Sequence, residues 1–283
     1  MNPTTDPVRT YPEGVTSWVD LDSPDLEAAQ AFYGGLFGWT FSGATPPGVS
    51  PRYVIAALGG RDVAGLGEPG GGTSGAGAWN TYVAVDDSVT AAQRIRSAGG
   101  QVLADPEPAG EGGVVTRCAD PEGVPFRLWQ ARRRPGAQAV NVPGAWNFSD
   151  LHTEDVPAAR AFYGEVFGWT FDDLGFGTMI RVPGYGDHLQ KTIDPGIHER
   201  QGGISAPPGF ADAIGWLTVA GAGEAPHWHV AFAVADRDEA AATAQRLGGE
   251  VLDRADTGWT REALIRDPSG AAFTASQFAP TGG

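Results

Sequence analysis

All five histidines of the chain, His152, His188, His198, His227 and His229, fall in its C-terminal half. His227 and His229 stand two apart in an alternating stretch, so on a strand they share a face. His188 or His198 could approach them from a neighbouring loop, and imidazoles grouped in this way hold a divalent cation of the zinc type. The alternative is a single inward His229 acting as hydrogen-bond partner or general base, with the other histidines solvated. Cys118 is the only cysteine, which excludes an intrachain disulfide. With no histidine near it in sequence, it reads as a small buried side chain. The glycine run at 70–72 has neither the lysine nor the strand-to-helix setting of a phosphate loop, and it reads as a mobile loop.

The elements that must position these residues are written twice. Residues 31–41 read AFYGGLFGWTF and residues 161–171 read AFYGEVFGWTF, identical at nine of eleven positions and 130 apart. WVDLDSPD at 18–25 recurs as FSDLHTED at 148–155, AGG at 98–100 as LGG at 247–249, and DPEG at 120–123 as DPSG at 267–270. The later pairs are offset by 147 to 149, so the second copy carries 17 to 19 additional residues, which its Gly/Pro-rich stretch between Asp194 and Gly223 would hold as a long loop.

Within the first copy, residues 14–21 alternate as a strand, with Val15, Ser17, Val19 and Leu21 on one face and Thr16, Trp18 and Asp20 on the other. Ser23 or Asp25 can cap a helix whose apolar stripe is Leu26, Ala29, Tyr33 and Leu36, and Gly38 can end it in the left-handed conformation. Strands are expected from Trp39 and at 53–58. A second cycle follows: a strand at 80–85, a helix over 89–98 stopped by Gly99 and Gly100, and strands at 101–103, 114–118 and 124–130, with a DPEG turn before the last. Each copy is thus two β-α-β-β-β modules. The arginine- and proline-containing stretch 131–144 reads as a linker.

A helix containing FYGxxFGW after a first strand, followed by a second module ending in DPxG and an apolar strand, resembles the vicinal oxygen chelate superfamily. This is the glyoxalase, bleomycin resistance protein and extradiol dioxygenase group. The resemblance implies an α+β protein of two tandem glyoxalase-like domains, at 12–131 and 144–279 with a linker at 132–143. In each domain two βαβββ modules would form a cupped mixed sheet holding a ligand on its concave face. Metal-dependent members bind their ion through side chains of the first and last strands of each module, usually His, Gln or Glu. The matching positions in the first copy are Trp18, Asn80 and Arg127, with the fourth near Glu68. An indole cannot coordinate a cation and a guanidinium repels one, so no metal is expected there. The matching positions in the second copy are Phe148, His229 and Thr274, with the fourth in the long loop, a single ligand from the pattern without the usual carboxylate at its last position, so no metal is assigned as a cofactor.

With strand parity, the concave face of the first copy carries Trp18, Asp20, Asn80, Tyr82, Arg127 and Trp129. That of the second carries Trp146, Phe148, Asp150, His229, Thr274 and Ser276. Aromatic walls with a few converging polar groups suit a planar, ring-bearing metabolite. Arg127 with Asn80 would meet a carboxylate, phenolate or carbonyl oxygen, and Asp150 with His229 would form an acid/base pair. The structural alternatives are plain packing for the aromatic residues and an Asp20–Arg127 salt bridge in place of an ion.

The expected activity is metal-independent binding of an aromatic or polycyclic small molecule, or its isomerisation or ring closure. The alternatives are a metal-dependent lyase or dioxygenase using the histidine-rich second domain, and a fold-only protein with filled cups. With 19 Lys+Arg against 34 Asp+Glu, a net charge of -15, nucleic acid and anionic membranes are not expected partners. A bacterial-type cytoplasmic protein is expected, with a small organic ligand as partner, either a monomer (an internal pseudo-dimer) or a homodimer.

Overall fold

The computed structural model describes residues 7–69, 75–175, 177–203 and 206–280. The glycine run at 70–72 lies outside them.

The first copy contains β1 (Thr16–Asp22), α1 (Leu26–Phe37), β2 (Thr40–Gly43), β3 (Tyr53–Leu58), β4 (Arg61–Gly67), β5 (Ala78–Ala84), α2 (Ser88–Ser97), β6 (Gln101–Ala109), β7 (Gly113–Ala119) and β8 (Pro125–Ala131). The second contains β9 (Trp146–Thr153), α3 (Val156–Phe167), β10 (Thr170–Asp173), β11 (Thr178–Arg181), α4 (Tyr185–Thr192), α5 (Ile197–Gly203), β12 (Ala213–Val219), β13 (His227–Ala233), α6 (Arg237–Arg246), β14 (Glu250–Asp256), β15 (Thr260–Arg266) and β16 (Ala272–Phe278). The protein is α+β with two eight-stranded mixed sheets, ordered β2-β3-β4-β1-β5-β8-β7-β6 and β10-β11-β12-β9-β13-β16-β15-β14. Each copy is therefore two βαβββ modules, as the repeat implies. Among the described residues no helix is long and apolar enough to cross a membrane.

Local chemistry accounts for the helix boundaries. Asp25 caps α1 by accepting from the Ala28 N–H at 2.9 Å. Gly38 and Gly168 end α1 and α3 at φ of 72° and 70°, a conformation that costs glycine nothing. The buried face of α1 is Leu26, Ala29, Phe32, Tyr33 and Phe37. Phe37 occupies the place expected for Leu36, because the stripe continues from Tyr33 by four residues.

Two further expectations are corrected. Residues 61–67 form strand β4, and glycines had hidden it. The additional residues of the second copy do not form a loop between Asp194 and Gly223. They begin after Arg181 and fold into α4, α5 and a 3-10 turn, while β12 occupies Ala213–Val219. The buried Tyr185, Leu189 and Ile197 give these helices an apolar side.

Packing does not follow the sequence repeat. The chain clusters into two compact units, one of residues through Ser17, Tyr82–Gln138 and Leu151–His227, the other of Trp18–Thr81, Ala139–Asp150 and the chain from Trp228 on. Each unit thus combines a module from one copy with a module from the other.

Repeated motifs join the copies in each unit. In the second unit the Tyr33 hydroxyl donates to Oδ2 of Asp267, in DPSG, at 3.0 Å, and Trp79 Nε1 donates to the Tyr33 oxygen at 3.1 Å. In the first unit the Tyr163 hydroxyl donates to Oδ2 of Asp120, in DPEG, at 3.1 Å. The indoles follow the same rule: Trp39 Nε1 donates to the Gly144 carbonyl at 2.6 Å, and Trp169 Nε1 to that of Gly14 at 2.7 Å. Each glycine sits at positive φ just before the other copy's first strand, where a Cβ would fall within 3.0 to 3.1 Å of the Phe167 or Phe37 carbonyl oxygen.

Around these bonds lie buried rings: Phe32, Tyr33, Phe37, Trp39, Phe232 and Phe273 in the second unit, and Phe126, Phe162, Tyr163, Phe167 and Trp169 in the first. Gly100, read above only as a helix stop, and its repeat counterpart Gly249 also let a ring of the other copy approach: a Cβ there would lie 2.7 Å from Phe162 and 2.9 Å from Phe32.

The Asp120 carboxyl is held above its usual range, first by burial and then by Glu122, against hydrogen bonds from Val124 and Tyr163. A raised folded value means that the folded state binds the proton more tightly. This contribution to stability is fully present below the ordinary aspartate value of about 3.9 and is lost as pH rises through the raised one. In urea denaturation, wild type should therefore lose stability relative to Asp120→Asn between pH 4 and pH 7; a pH-independent difference would contradict the assignment. Tyr163→Phe should cost about 1–3 kcal/mol, since it strips a buried carboxylate of one donor.

Candidate functional site

The first copy's candidate residues fall into two hydrogen-bonded groups. Asp20, on β1, is fully buried. It accepts from the Tyr53 hydroxyl at 3.0 Å and from Asn80 Nδ2 at 3.0 Å. Asn80 also donates to Asp22 at 3.1 Å, and Trp18 Nε1 donates to the Tyr53 oxygen at 3.1 Å. The sequence reading missed Tyr53 and Asp22. Tyr53 starts β3, and its ring crosses β4 to reach Asp20 on β1. The crossing needs Gly65 and Gly67, because a Cβ on Gly65 would lie 1.9 Å from the tyrosine oxygen and one on Gly67 2.7 Å from its ring. Glycines placed opposite an aromatic residue on the adjacent strand were the signal available in the sequence.

The second group is Tyr82, Arg127 and Trp129. Arg127 Nη1 donates to the Tyr82 hydroxyl at 3.0 Å, with the guanidinium carbon 5.5 Å from the tyrosine ring centre. Trp129 packs edge-to-face on Tyr82 with centroids 6.3 Å apart and donates to the Arg134 carbonyl at 2.8 Å. Glu68 is bound to Arg52 at 2.6 Å and accepts the Arg52 backbone N–H at 2.8 Å. At the positions matched to metal ligands, then, stand an indole, an amide and a guanidinium, and the one carboxylate is engaged by an arginine. These residues do not fit a divalent cation.

In the second copy, Trp146, Phe148 and Asp150 lie on β9, His229 on the neighbouring β13 and Thr274 on β16. His229 Nε2 lies 2.8 Å from Thr274 Oγ1. A hydroxyl can donate to or accept from the ring, so it suits either neutral tautomer. Trp146 is 3% exposed, and its Nε1 meets no acceptor among the described residues. Ser276 bonds to Glu262 at 3.3 Å. A lone imidazole with Phe148 and Thr274 does not make a metal site at the matched positions either.

The remaining histidines are not grouped as the spacing suggests. His188 Nε2 lies 3.1 Å from Thr10 Oγ1, and His198 Nε2 3.3 Å from Asp187. His227 is joined instead by His152 and Glu224, a residue the sequence reading passed over: His152 Nδ1 lies 2.7 Å from Glu224 Oε1, and the two imidazole centroids are 4.6 Å apart. Burial, and then His227, lower the His152 value, against the opposing pull of Glu224. Glu224 is held below the usual carboxylate range, first by the Gly221 backbone N–H. Cys118 is buried and its thiol is pushed up to about 12, so it is no nucleophile at neutral pH. A cavity of 320 Å³ lies in the inserted segment, lined among others by Asp187, His198, Gln201 and Phe210. Of the candidate residues it includes only His198, and its Asp187–His198 pair is largely exposed.

Comparison with known proteins agrees with this architecture. The model of the Glyoxalase/Bleomycin resistance protein/Dioxygenase superfamily matches residues 17–128, and that of a Glyoxalase-like domain matches residues 148–276. A Mycobacterium tuberculosis protein named "Putative glyoxylase CFP32" is 35% identical over 278 residues, covering 95% of this chain and 97% of that protein. The anthracycline biosynthesis protein DnrV of Streptomyces peucetius is 33% identical over 285 residues, covering 93% of each. Among solved structures, the Mn(II)-bound glyoxalase from Novosphingobium aromaticivorans aligns with a TM-score of 0.58 at 14% identity, over 94% of this chain and 82% of that one. The 2,3-dioxygenase LapB from Pseudomonas sp. KL28 aligns with a TM-score of 0.59 at 14% identity, over 98% and 97%. At these identities the structures share the fold alone.

Tyr53→Phe should destabilise the protein by about 1–3 kcal/mol without changing its fold, since buried Asp20 loses one donor and Trp18 its acceptor. Gly65→Ala should cost at least as much, because its Cβ displaces the tyrosine. Chemical denaturation checks both, and two neutral variants would show that the Asp20 network does not depend on Tyr53.

Proposed function

Because the chain belongs to the glyoxalase/bleomycin resistance protein/dioxygenase superfamily, we propose that it binds a planar, oxygen-bearing aromatic or polycyclic small molecule without a metal at the family's ligand positions. The observation that carries this reading is the replacement of those ligands in the first copy by Trp18, Asn80 and Arg127, held in networks on Asp20 and Tyr82. A guanidinium packed on an aromatic face, beside a partly exposed indole, binds a ring that carries an acidic or carbonyl oxygen. Arg127 supplies the charge and the partly exposed Trp129 the stacking area, with Tyr82 holding the guanidinium.

In the second copy the same reading gives His229 the role of moving a proton. Thr274 holds its ring, Trp146 and Phe148 supply apolar area, and Asp150 is the acid on the adjacent strand. A proton moved to or from carbon beside a carbonyl is the step that isomerisation and ring closure share, and a neutral imidazole is the right strength for it near pH 7. Relatives named for anthracycline biosynthesis support a polycyclic aromatic ligand.

Titrating tryptophan fluorescence with a hydroxyanthraquinone tests the reading. His229→Ala and Arg127→Ala should each weaken binding about tenfold, equivalent to ~1.4 kcal/mol, with melting temperatures little changed. Unchanged affinity in both variants would overturn the site assignment.

A further inference from the structure

We propose that His152, Glu224 and His227 form a binding site for a divalent cation of the zinc class, apart from the positions where this family holds its metal. The inference does not rest on the proposed ligand binding. One potential ligand atom from each residue lies within 4.8 Å of the other two, and no other group of three or more His, Cys, Asp or Glu among the described residues meets that condition. Two imidazole nitrogens and one carboxylate oxygen are donors suited to Zn²⁺, and Co²⁺ or Ni²⁺ can replace it.

The three residues come from adjacent parts of the second copy. His152 lies near the end of β9, in parallel register with Thr218 of β12. Glu224 lies in the turn that leaves β12, and His227 opens β13. The site is four residues beyond Phe148 and two before His229, so a ligand set read from the matched positions overlooks it. It also lies wholly within one packing unit. In the first copy the place of His152 is taken by Asp22, which accepts from Asn80.

The side chains are already oriented. Glu224 is fixed within its turn: its Oε2 accepts the Gly221 N–H at 2.7 Å, and its own N–H donates to the Gly221 carbonyl at 3.0 Å. His227 Nδ1 lies 3.0 Å from the Ala225 carbonyl oxygen. That bond places the hydrogen on Nδ1, which also lies 3.8 Å from Glu224 Oε1, so either this hydrogen leaves Nδ1 or Nε2 serves as the donor when an ion binds. His152 Nδ1 and Glu224 Oε1 share a hydrogen at 2.7 Å. A tetrahedral ion with bonds near 2.0–2.1 Å spaces its donors about 3.4 Å apart, so it enters by parting these two atoms by under an ångström, while the neutral His152 ring exchanges its hydrogen through solvent from Nδ1 to Nε2 and frees the Nδ1 lone pair. Three protein donors leave a coordination position for water or a small oxygen donor.

Calorimetric titration of chelator-treated full-length protein with Zn²⁺ alone tests the proposal, with the Co²⁺ visible spectrum as a reporter of geometry. The expected result is one saturable equivalent and an intense tetrahedral Co²⁺ spectrum. Affinity should fall at least tenfold in His152→Ala and in His227→Ala, and stay unchanged in His229→Ala and His188→Ala. Glu224→Gln, at a partly exposed turn, should weaken binding too, and it keeps the test intact if a histidine variant fails to fold. Absence of saturable binding in the wild-type protein overturns the site. So does binding that survives loss of His152 and His227, and so does binding lost with His229, which would place the ion at the matched family position instead.

Discussion

A buried tyrosine hydroxyl donating to a buried turn aspartate, once in each packing unit, is the interaction on which the rest of this structure depends. Tyr33 and Tyr163 come from the repeated FYG helices, and Asp267 and Asp120 from the repeated DPxG turns of the opposite copies. Each aspartate also organises its own turn: Oδ1 of Asp120 accepts the Val124 N–H, and Oδ1 of Asp267 accepts the Ala271 N–H. The same carboxylate therefore closes the turn and ties the two copies together. A carboxylate in an apolar setting is costly unless its oxygens are satisfied, so neither motif is stable there without the other. The packing glycines and the aromatic clusters are arranged around these two bonds.

With the scaffold fixed in duplicate, the faces of the two sheets are free to differ. In the first copy, Trp18, Tyr53, Asp20, Asn80 and Asp22 form a connected polar network that needs no cation. In the second, the counterparts of Asp22 and Asn80 are His152 and His229. One joins Glu224 and His227 and the other bonds to Thr274. Both outcomes satisfy polar groups on neighbouring strands of the sheet, and only the second does so with titratable imidazoles. That asymmetry is why binding chemistry is sought on both sheets and proton transfer or cation binding on the second.

Periodicity and the repeat made most of the fold legible. Alternation marked β1, Asp25 and Gly38 bracket α1, and the recurrence of DPxG located the last turn of each copy. What stayed hidden depends on contacts far apart in sequence. β4 is masked because Gly65 and Gly67 remove the side chains whose alternation would show a strand, and the reason for those glycines is Tyr53. The helices α4 and α5 lie among prolines and glycines that read as loop. The partner of Tyr33 is 234 residues away, so the motif could be read as packing but not as a bond between copies. At the sites, types were legible and groupings were not: His227 shares a strand with His229, yet the residues that reach it are His152 and Glu224, from neighbouring segments.

The central claim, that each packing unit needs a module from both copies, is tested most directly by expressing residues 1–143 alone and measuring its mass by light scattering alongside its thermal unfolding. Without Asp267, Phe273 and the second copy's FYG helix, half of each core is missing. The fragment should form no folded monomer: it is either unfolded or folded only when self-associated, with a second copy supplying the missing half. A monomeric fragment with a cooperative melting transition and a native-like near-ultraviolet circular dichroism spectrum would contradict it.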